Sequence, residues 1–207
     1  MRRWLLLIAA CASPVCLAVG QADSVQADRV VLVYGKADGD VPGWAVLADK
    51  LSGWTADCCM YARAIGVNLV MYQGEWTGKP EQVIVLNVWP AKLHSLNDEV
   101  VADRKKYLQR DPGARSKLFR IPHAKMTCDA IAYEGTDHFD DVVVFCDPGR
   151  TTGIRLSWSM TLAAGDPQRR ALLDGFMKVA ANASYMSREG DHRSRDGQRG
   201  AGKHSAP

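Results

Sequence analysis

The stretch from Lys125 to Asp147, KMTCDAIAYEGTDHFDDVVVFCD, decides the fold of this chain. Two runs rich in β-branched and apolar residues flank the polar sequence GTDHF, and this pattern predicts a β-hairpin. If residues 135–139 form the loop, Cys128 lies directly opposite Cys146 on one largely apolar face of the hairpin. The stretch therefore predicts two antiparallel strands, Lys125–Glu134 and Asp140–Cys146, with a defined register.

A third strand and an amphipathic helix follow the hairpin. Ile154–Leu162 reads as the third strand of a meander, and Asp166-Pro167 is typical of an N-cap followed by a proline at the first helical position. The helix that begins there has one apolar face, formed by Leu172, Leu173, Phe176, Val179, Ala180 and Ala183. A stripe of this kind requires a sheet to pack on.

The part of the chain before the hairpin predicts further elements. Ser95 and Asp98 resemble a capping box for a helix with Val100, Val101, Tyr107 and Leu108 on one side, ended by Asp111-Pro112-Gly113. The other predicted elements are strands at Val30–Tyr34, Val67–Gln73 and Gln82–Trp89, a weakly helical segment at Trp44–Leu51, and a short helix at Ala56–Ile65 with Thr55 as N-cap and Gly66 as its stop. Since most strands are joined as hairpins, we expect an α+β fold, an antiparallel β-sheet with helices packed on it.

The two ends of the chain differ from this body. Arg2 and Arg3 precede an apolar run, Trp4–Leu17, which is too short to span a bilayer comfortably and is followed by small residues. This pattern predicts a signal peptide over residues 1–22, a single α+β domain over 23–186, and export to the periplasm or the medium. The tail 187–207 lacks Leu, Ile, Val and aromatic residues, so we expect it to be disordered. No later segment is apolar for long enough to form a membrane helix in the mature chain.

A lipoprotein is the alternative for the leader. Ile8-Ala9-Ala10-Cys11 resembles a lipobox, which would lipidate Cys11. The apolar run before Cys11 is short, and lipidation there would leave Cys16 as an unpaired cysteine, so we favour a cleaved signal peptide.

The charge of the chain argues against a nucleic-acid partner. The formal net charge is +3, but Arg2 and Arg3 lie in the leader, and the tail carries five Lys and Arg against three Asp and Glu. Residues 23–186 therefore come to −1, with no basic stripe. Nucleic-acid binding, which depends on clustered cations, is not expected.

The order of elements resembles a known family. The segment VNLVMYQGEWTGKPEQVIVLNVW followed by a charged helix, and then the meander and the last helix, is similar to the PsbP/Mog1-like fold of small secreted bacterial proteins. The resemblance covers roughly residues 60–186 and is one of pattern. It implies an α+β sandwich with a binding or accessory role, and no catalytic residues that carry over to this chain.

Four cysteines remain after the leader: Cys58, Cys59, Cys128 and Cys146. In an oxidising compartment we expect them to form structural disulfides. Either Cys58 or Cys59 pairs with Cys128 or Cys146 and joins the helical segment to the meander, or Cys128 pairs with Cys146 and leaves the adjacent cysteines free or joined to each other. Zinc and thioredoxin-like roles are disfavoured, since adjacent cysteines rarely chelate one metal together and no Cys-x-x-Cys is present.

Two groups of residues are candidates for function. The loop residues Asp137, His138, Asp140 and Asp141 have the groups needed for a cation site or for acid–base chemistry, although a solvated hairpin loop, where such residues serve turn chemistry, is the favoured interpretation. Trp76, Trp44 and Trp54 lie near predicted loops, where aromatic side chains often anchor a partner; the alternative is that they close the ends of the core.

We expect a non-enzymatic exported protein without a cofactor or metal, which binds another envelope or secreted protein in an accessory, inhibitor or immunity-type role. The alternative is a small-molecule or metal-binding protein, or a hydrolase that uses the Asp137–Asp141 region.

Overall fold

The computed structural model describes residues 29–37, 41–76 and 82–188. The expected signal peptide, and all of the expected tail except Ser187 and Arg188, lie outside the described residues. The elements in chain order are β1 (Val30–Gly35), β2 (Trp44–Asp49), β3 (Trp54–Asp57), α1 (Tyr61–Ala64), β4 (Leu69–Gln73), β5 (Val83–Pro90), α2 (Leu96–Arg110), β6 (Arg115–Arg120), β7 (Thr127–Glu134), β8 (Phe139–Asp147), a 3-10 turn (Arg150–Thr152), β9 (Ile154–Ala163), α3 (Arg169–Asn182) and β10 (Ser184–Ser187).

The strands form two sheets. β1, β2 and β10 make a three-stranded sheet with β2 at its centre, and the other strands make a seven-stranded sheet in the order β3-β4-β5-β9-β8-β7-β6. Every pairing in the two sheets is antiparallel. The expected α+β class is confirmed.

The central hairpin has the predicted register. Cys128 lies opposite Cys146 and Glu134 lies opposite Asp140 along β7 and β8, and β9 pairs with β8 as the third strand of the meander. The alternation of buried and exposed side chains explains this outcome, because a shift of one residue would turn the apolar set of both strands to the opposite face.

One face of the seven-stranded sheet is covered by α3 and by the three-stranded sheet. α3 packs on both β2 and β9, and its predicted apolar face is buried, with Phe176 fully inaccessible to solvent. Phe176 belongs to a core cluster that also contains Val46 of β2 and Trp158 of β9. The last helix therefore holds the two sheets together.

The opposite face of the seven-stranded sheet carries two smaller clusters. α2 covers β7 and β8, where Val100 and Tyr107 pack among Ile131, Tyr133 and Phe145. The predicted capping box is confirmed, since Ser95 Oγ accepts from the Asp98 amide (3.2 Å) and Asp98 Oδ2 accepts from the Ser95 amide (3.0 Å). Val101, expected on the apolar side, is exposed.

Several local predictions are wrong. Trp44–Leu51 is not helical: residues 44–49 form β2, because this segment pairs with strands on both sides and pairing overrides a weak helical preference. Of the helix expected at Ala56–Ile65, only α1 is helical, and residues 54–57 form strand β3. Gly66 does stop α1, with a positive φ of 74° that favours glycine.

Two strands and one cap also differ from the prediction. β6 and β10 are absent from the sequence-based scheme, because both are short edge strands with few buried side chains. Asp166 is not the N-cap of α3; it accepts a hydrogen bond from the amide of Gln168 (2.7 Å) in the turn before the helix begins.

Candidate functional site

The outer face of the three-stranded sheet is apolar and open to solvent. We use the term outer face for Val30, Leu32, Tyr34, Leu47 and Met186, whose exposed fractions are 37%, 52%, 58%, 37% and 43%. Contiguous exposed apolar surface is unusual on a soluble protein and often marks an interaction site.

Strand alternation places these side chains together. Tyr34, Ala45 and Met186 lie opposite one another across the three strands, and Leu32 lies opposite Leu47 in the adjacent row. Ala45 is only 5% exposed although it points to the same side, which fits its position between the two larger side chains. The other side chains of β1 and β2, such as Val33 and Val46, point into the core.

Lysine and arginine residues lie at both ends of the outer face. Arg29 and Lys50 flank one end, where the Lys50 amide donates to the Arg29 carbonyl. Lys36 and Arg188 follow β1 and β10 at the other end, and the Arg188 guanidinium lies 4.9 Å from the centre of the Tyr34 ring. The acidic residue within these three strands is Asp49, which accepts from the Asn182 side chain (3.3 Å). The surroundings of the apolar surface are therefore basic in the described part of the chain.

Two of the three candidate tryptophans are core residues. Trp44 and Trp54 are 4% and 6% exposed, so they have too little free surface to anchor a partner, and their assignment as binding residues is wrong. The physical reason is their position at the first residue of strands β2 and β3 with the side chain turned inward. A Cβ atom at Gly35, opposite Trp44, would lie 2.5 Å from the indole, so glycine makes room for it there.

Trp76 is half-buried in an aromatic cluster. Its ring stacks on Tyr61 (5.0 Å between centroids, 17° between planes) and meets Tyr72 edge-on at 5.2 Å. Burial, together with the charges of Tyr61 and Asp57, raises the pKa of Tyr72. Trp76 lies on the face of the seven-stranded sheet that α3 does not cover, away from the outer face. Its role in binding stays a prediction.

The cysteines take the second of the two expected arrangements. Cys128 and Cys146 form a disulfide across β7 and β8 with 4.2 Å between their Cα atoms, and both residues are buried. Cys58 and Cys59 are exposed free thiols, so the structure has no disulfide between the α1 segment and the meander. Because Cys128 and Cys146 lie directly opposite each other in one hairpin, each is within disulfide reach of the other.

The free thiols lie in a bend between β3 and α1. Asp57 Oδ1 accepts hydrogen bonds from the amides of Cys59 (3.2 Å), Met60 (3.0 Å) and Ala62 (3.0 Å), which fixes the backbone of the bend. A hydrogen bond between the two thiols, together with partial burial and the nearby charges of Cys59 and Asp57, raises the pKa of Cys58.

The polar side chains of the hairpin loop do not converge on a common site. Asp140 is buried and pairs with Arg169, whereas Asp141, the next residue in the strand, points to the other face of the sheet and accepts from the Thr161 hydroxyl. Asp137 accepts from the Phe139 amide (3.0 Å), and His138 is exposed with a positive φ of 68°. Among the described residues, no group of three or more His, Cys, Asp and Glu side chains is placed to hold a metal ion.

Breaking the Asp140–Arg169 pair should destabilise the protein. Asp140 Oδ2 accepts from Arg169 Nε (3.0 Å) and from a terminal guanidinium nitrogen (2.6 Å), while the Asp140 side chain is only 7% exposed. Arg169→Met leaves this carboxylate without its partner, so we expect the free energy of unfolding to fall by about 2 kcal/mol in urea denaturation. Arg170→Met, at the neighbouring exposed arginine, is the control; equal losses in the two variants would contradict the role of the pair.

Two stacked tyrosines under α2 were missed by the sequence reasoning. The rings of Tyr107 and Tyr133 lie parallel with 3.8 Å between centroids, and the Tyr133 hydroxyl donates to Asp103 (2.6 Å). Burial and the Asp141 carboxylate raise the pKa of Tyr107, and burial and Asp103 raise that of Tyr133. Both phenols therefore keep their protons at neutral pH. The packing of α2 on the sheet creates this stack, and no local pattern in the sequence indicates it.

Asp111 joins the end of α2 to the hairpin loop. Its carboxylate accepts from the Thr136 amide and hydroxyl, both at 2.8 Å, and these bonds lower its pKa below the ordinary value of 3.8. A lowered folded-state pKa means that the stabilisation is complete above 3.8 and is lost as the pH falls through the folded value.

Thr136→Val should shift this titration. The variant removes the hydroxyl donor, so the pKa of Asp111 should move back toward 3.8, as followed by NMR titration of its carboxyl carbon. The exposed Thr127→Val should leave the titration unchanged. A wild-type Asp111 pKa of 3.8 or higher would show that the two bonds to Thr136 do not hold in solution.

Within residues 29–37, 41–76 and 82–188, none of the helices has the length and apolar character needed to cross a membrane.

No family model matches the chain, and no curated protein matches its sequence. The structure is similar to the solution structure of cyanobacterial PsbP (CyanoP) from Synechocystis sp. PCC 6803, with a TM-score of 0.46 and 12% identity over 75% of this chain and 92% of that chain. PsbP is the family whose fold the sequence pattern resembles.

Proposed function

We propose that this chain is an exported, non-enzymatic protein that binds another envelope or secreted protein in an accessory, inhibitor or immunity-type role, and that it binds through the outer face. The observation that carries the proposal is the exposure of five large apolar side chains on one side of the three-stranded sheet. Apolar surface is unfavourable in contact with water, so the binding of a partner that buries this surface is favoured.

The outer face has the make-up of an interface centre. It combines a tyrosine, a methionine and aliphatic residues on a paired sheet whose backbone is already ordered, so little conformational entropy is lost on binding. Two strands of six residues and one of four, spaced about 4.8 Å apart, give a surface of at most roughly 14 Å by 20 Å. Standard interfaces take about 800 Å² from each partner, so the outer face would form the centre and the surrounding residues the rim.

The rim indicates the chemistry of the partner. Arg29, Lys50, Lys36 and Arg188 flank the outer face. A partner that fits this surface presents an apolar patch bordered by Asp and Glu side chains, because charges of opposite sign steer encounter and fix orientation.

Two features support export. Disulfides form and persist mainly in oxidising compartments, and Cys128–Cys146 is such a bond. The first residues of the sequence, with two arginines before an apolar run, have the pattern of a secretory leader.

The proposal is tested by a matched pair of variants. The tagged wild-type protein is used to isolate partners from the envelope and secreted fractions of its source, and the recovered partner is then purified and titrated calorimetrically. Leu32→Asp/Leu47→Asp should weaken binding by at least about 30-fold, equivalent to about 2 kcal/mol, while the variant stays folded at the temperature of the titration, because both side chains are exposed. Val101→Asp, at an exposed apolar residue of α2, is the control and should bind normally.

Several outcomes would contradict the proposal. Equal affinity of the double variant and the wild type would remove the outer face from the interface, and binding to anionic lipid vesicles in place of a protein would replace the partner class. Loss of affinity in Trp76→Ala but not in Leu32→Asp/Leu47→Asp would move the interface to the aromatic cluster. If Asp137→Ala/His138→Ala abolished a measured activity, the hydrolase or metal-binding alternative would take its place.

A further inference from the structure

We infer that the edge of the seven-stranded sheet at β6 is a second docking surface, which takes an extended acidic segment of a partner protein as an additional strand. β6 is the last strand in the sheet order, and among the described residues it pairs with β7 alone. An edge strand directs the backbone N–H and C=O groups of alternate residues away from its neighbour, and these groups can pair with an incoming strand. The outer face belongs to the other sheet, so this inference does not rest on the proposed function.

A groove beside β6 can receive an apolar side chain of such a segment. It lies between α2 and β6 and has a volume of about 290 Å³. Its lining residues are Asn97, Val100, Leu118, Phe119, Arg120 and Asp129. Leu118 is 55% exposed, although it lies opposite the buried Ile131 on the side of the sheet that α2 covers. α2 therefore covers β7 and leaves Leu118 open to a partner, and burial of this side chain would favour binding.

The charges of β6 favour an acidic segment. Three of its six residues are exposed cations, Arg115, Lys117 and Arg120. Arg115 pairs with Glu134 (2.5 Å) and Arg120 pairs with Asp129 (3.4 Å), but the two arginine side chains are 85% and 89% exposed. Ion pairs this exposed contribute little to stability, so both guanidinium groups can turn to the carboxylates of a partner. An incoming strand that carries Asp or Glu opposite these cations therefore fits the edge.

Two occupants from this chain fit the edge poorly. Two copies that paired through β6 would bring three cations of one strand against three cations of the other, and like charges across a strand pair are destabilising. The tail 189–207 has four Lys and Arg against three Asp and Glu, and its largest apolar side chain is proline, so it offers little to bury beside Leu118. Charged residues on edge strands commonly prevent unspecific pairing, and on β6 they disfavour a second copy while attracting an acidic strand.

The sequence of β6 determines the peptide for the test. In an added antiparallel strand, the residues opposite the three cations are Glu, the residue opposite Leu118 is Leu, and those opposite Ser116 and Phe119 are Thr and Val. The resulting acidic peptide is Glu-Val-Leu-Glu-Thr-Glu, acetylated, amidated and labelled with rhodamine. Titration of the full chain, followed by fluorescence anisotropy, should show saturable binding. The basic peptide Lys-Val-Leu-Lys-Thr-Lys is the matched control and should bind at least about 10-fold more weakly.

Variants of β6 should change the affinity and the preference. Arg115→Glu/Lys117→Glu should bind the acidic peptide at least about 10-fold more weakly than the wild type and should prefer the basic peptide, because opposite charges then face each other in the reversed pair. Leu118→Asp should also weaken binding of the acidic peptide by at least about 10-fold. Leu32→Asp/Leu47→Asp, at the outer face, is the control and should bind the acidic peptide as the wild type does.

Amide hydrogen exchange of the wild type detects the added strand without any variant. Alternate amides of residues 115–120 point away from β7 and should exchange fast in the free protein. At saturation with the acidic peptide, their exchange should slow by at least about 10-fold, because they then donate to the added strand.

Several results would overturn the inference. Absence of saturable binding up to about 1 mM acidic peptide, or unchanged exchange of residues 115–120 at saturation, would show that β6 does not accept a strand. Equal affinity for the acidic and basic peptides would refute the charge selectivity. A dimer in sedimentation that Leu118→Asp abolishes would make a second copy the occupant. Loss of peptide binding in Leu32→Asp/Leu47→Asp alone would place the peptide on the outer face.

Discussion

Replacing Phe176 with alanine is expected to lower the free energy of unfolding by about 3–5 kcal/mol, the range found when a fully buried phenylalanine is truncated. Phe176 is inaccessible to solvent and lies in the cluster that joins α3 to both sheets. The variant removes the ring from the place where β2 and β9 both contact the helix and leaves a cavity in that core cluster. Urea denaturation followed by circular dichroism measures the loss.

Lys178→Ala on the exposed side of α3 is the matched control and should change stability by less than about 0.5 kcal/mol. A natural domain of this size is stable by about 5–15 kcal/mol, so the loss in Phe176→Ala is a large share of the total. If the two variants unfold at the same urea concentration, α3 does not join the two sheets in solution.

Removal of the Cys128–Cys146 disulfide is the second large effect. The bond closes a loop with a sequence separation of 18 residues, for which restriction of the unfolded chain stabilises the folded protein by about 3 kcal/mol. Cys128→Ala/Cys146→Ala should therefore lose about that amount in denaturation of the oxidised protein, with additional loss from the space left in the core, since Cys146 is fully buried.

The other pair of cysteines provides the control within the same chain. Cys58→Ser/Cys59→Ser alters the same number of sulfur atoms at exposed positions and should leave the free energy of unfolding unchanged. Peptide mapping of the oxidised protein should recover residues 128 and 146 in one disulfide-linked fragment. Recovery of a disulfide between Cys58 or Cys59 and the meander would contradict the pairing of Cys128 with Cys146.

The sequence predicted the hairpin and its flanking elements because their signals are local. The register that puts Cys128 opposite Cys146 follows from loop length and alternation. The capping box at Ser95 and the apolar stripe of α3 are likewise short-range patterns. Local patterns of this kind survive in the folded chain whenever the tertiary contacts agree with them.

Other features depend on residues far apart in the chain. Trp44–Leu51 is weakly helical by itself and becomes β2 only because β1 and β10, more than 130 residues apart in sequence, pair with its two edges. β10 carries no strand signal of its own, yet its pairing adds Met186 to the outer face. Sequence reasoning therefore could not find this surface, and it chose Trp44 and Trp54, which the same packing buries.

The amino-acid sequence alone determined the α+β class, the central hairpin, the opposed cysteines and the faces of the long helices, since these follow from periodicity and capping over a few residues. Tertiary structure alone decided which cysteines bond, which tryptophans are core, and where apolar surface remains in water. Burial depends on the packing of the whole chain, because the segments that cover a side chain are often distant from it in sequence. The spacing of residues along the chain does not indicate which distant segments will pack together.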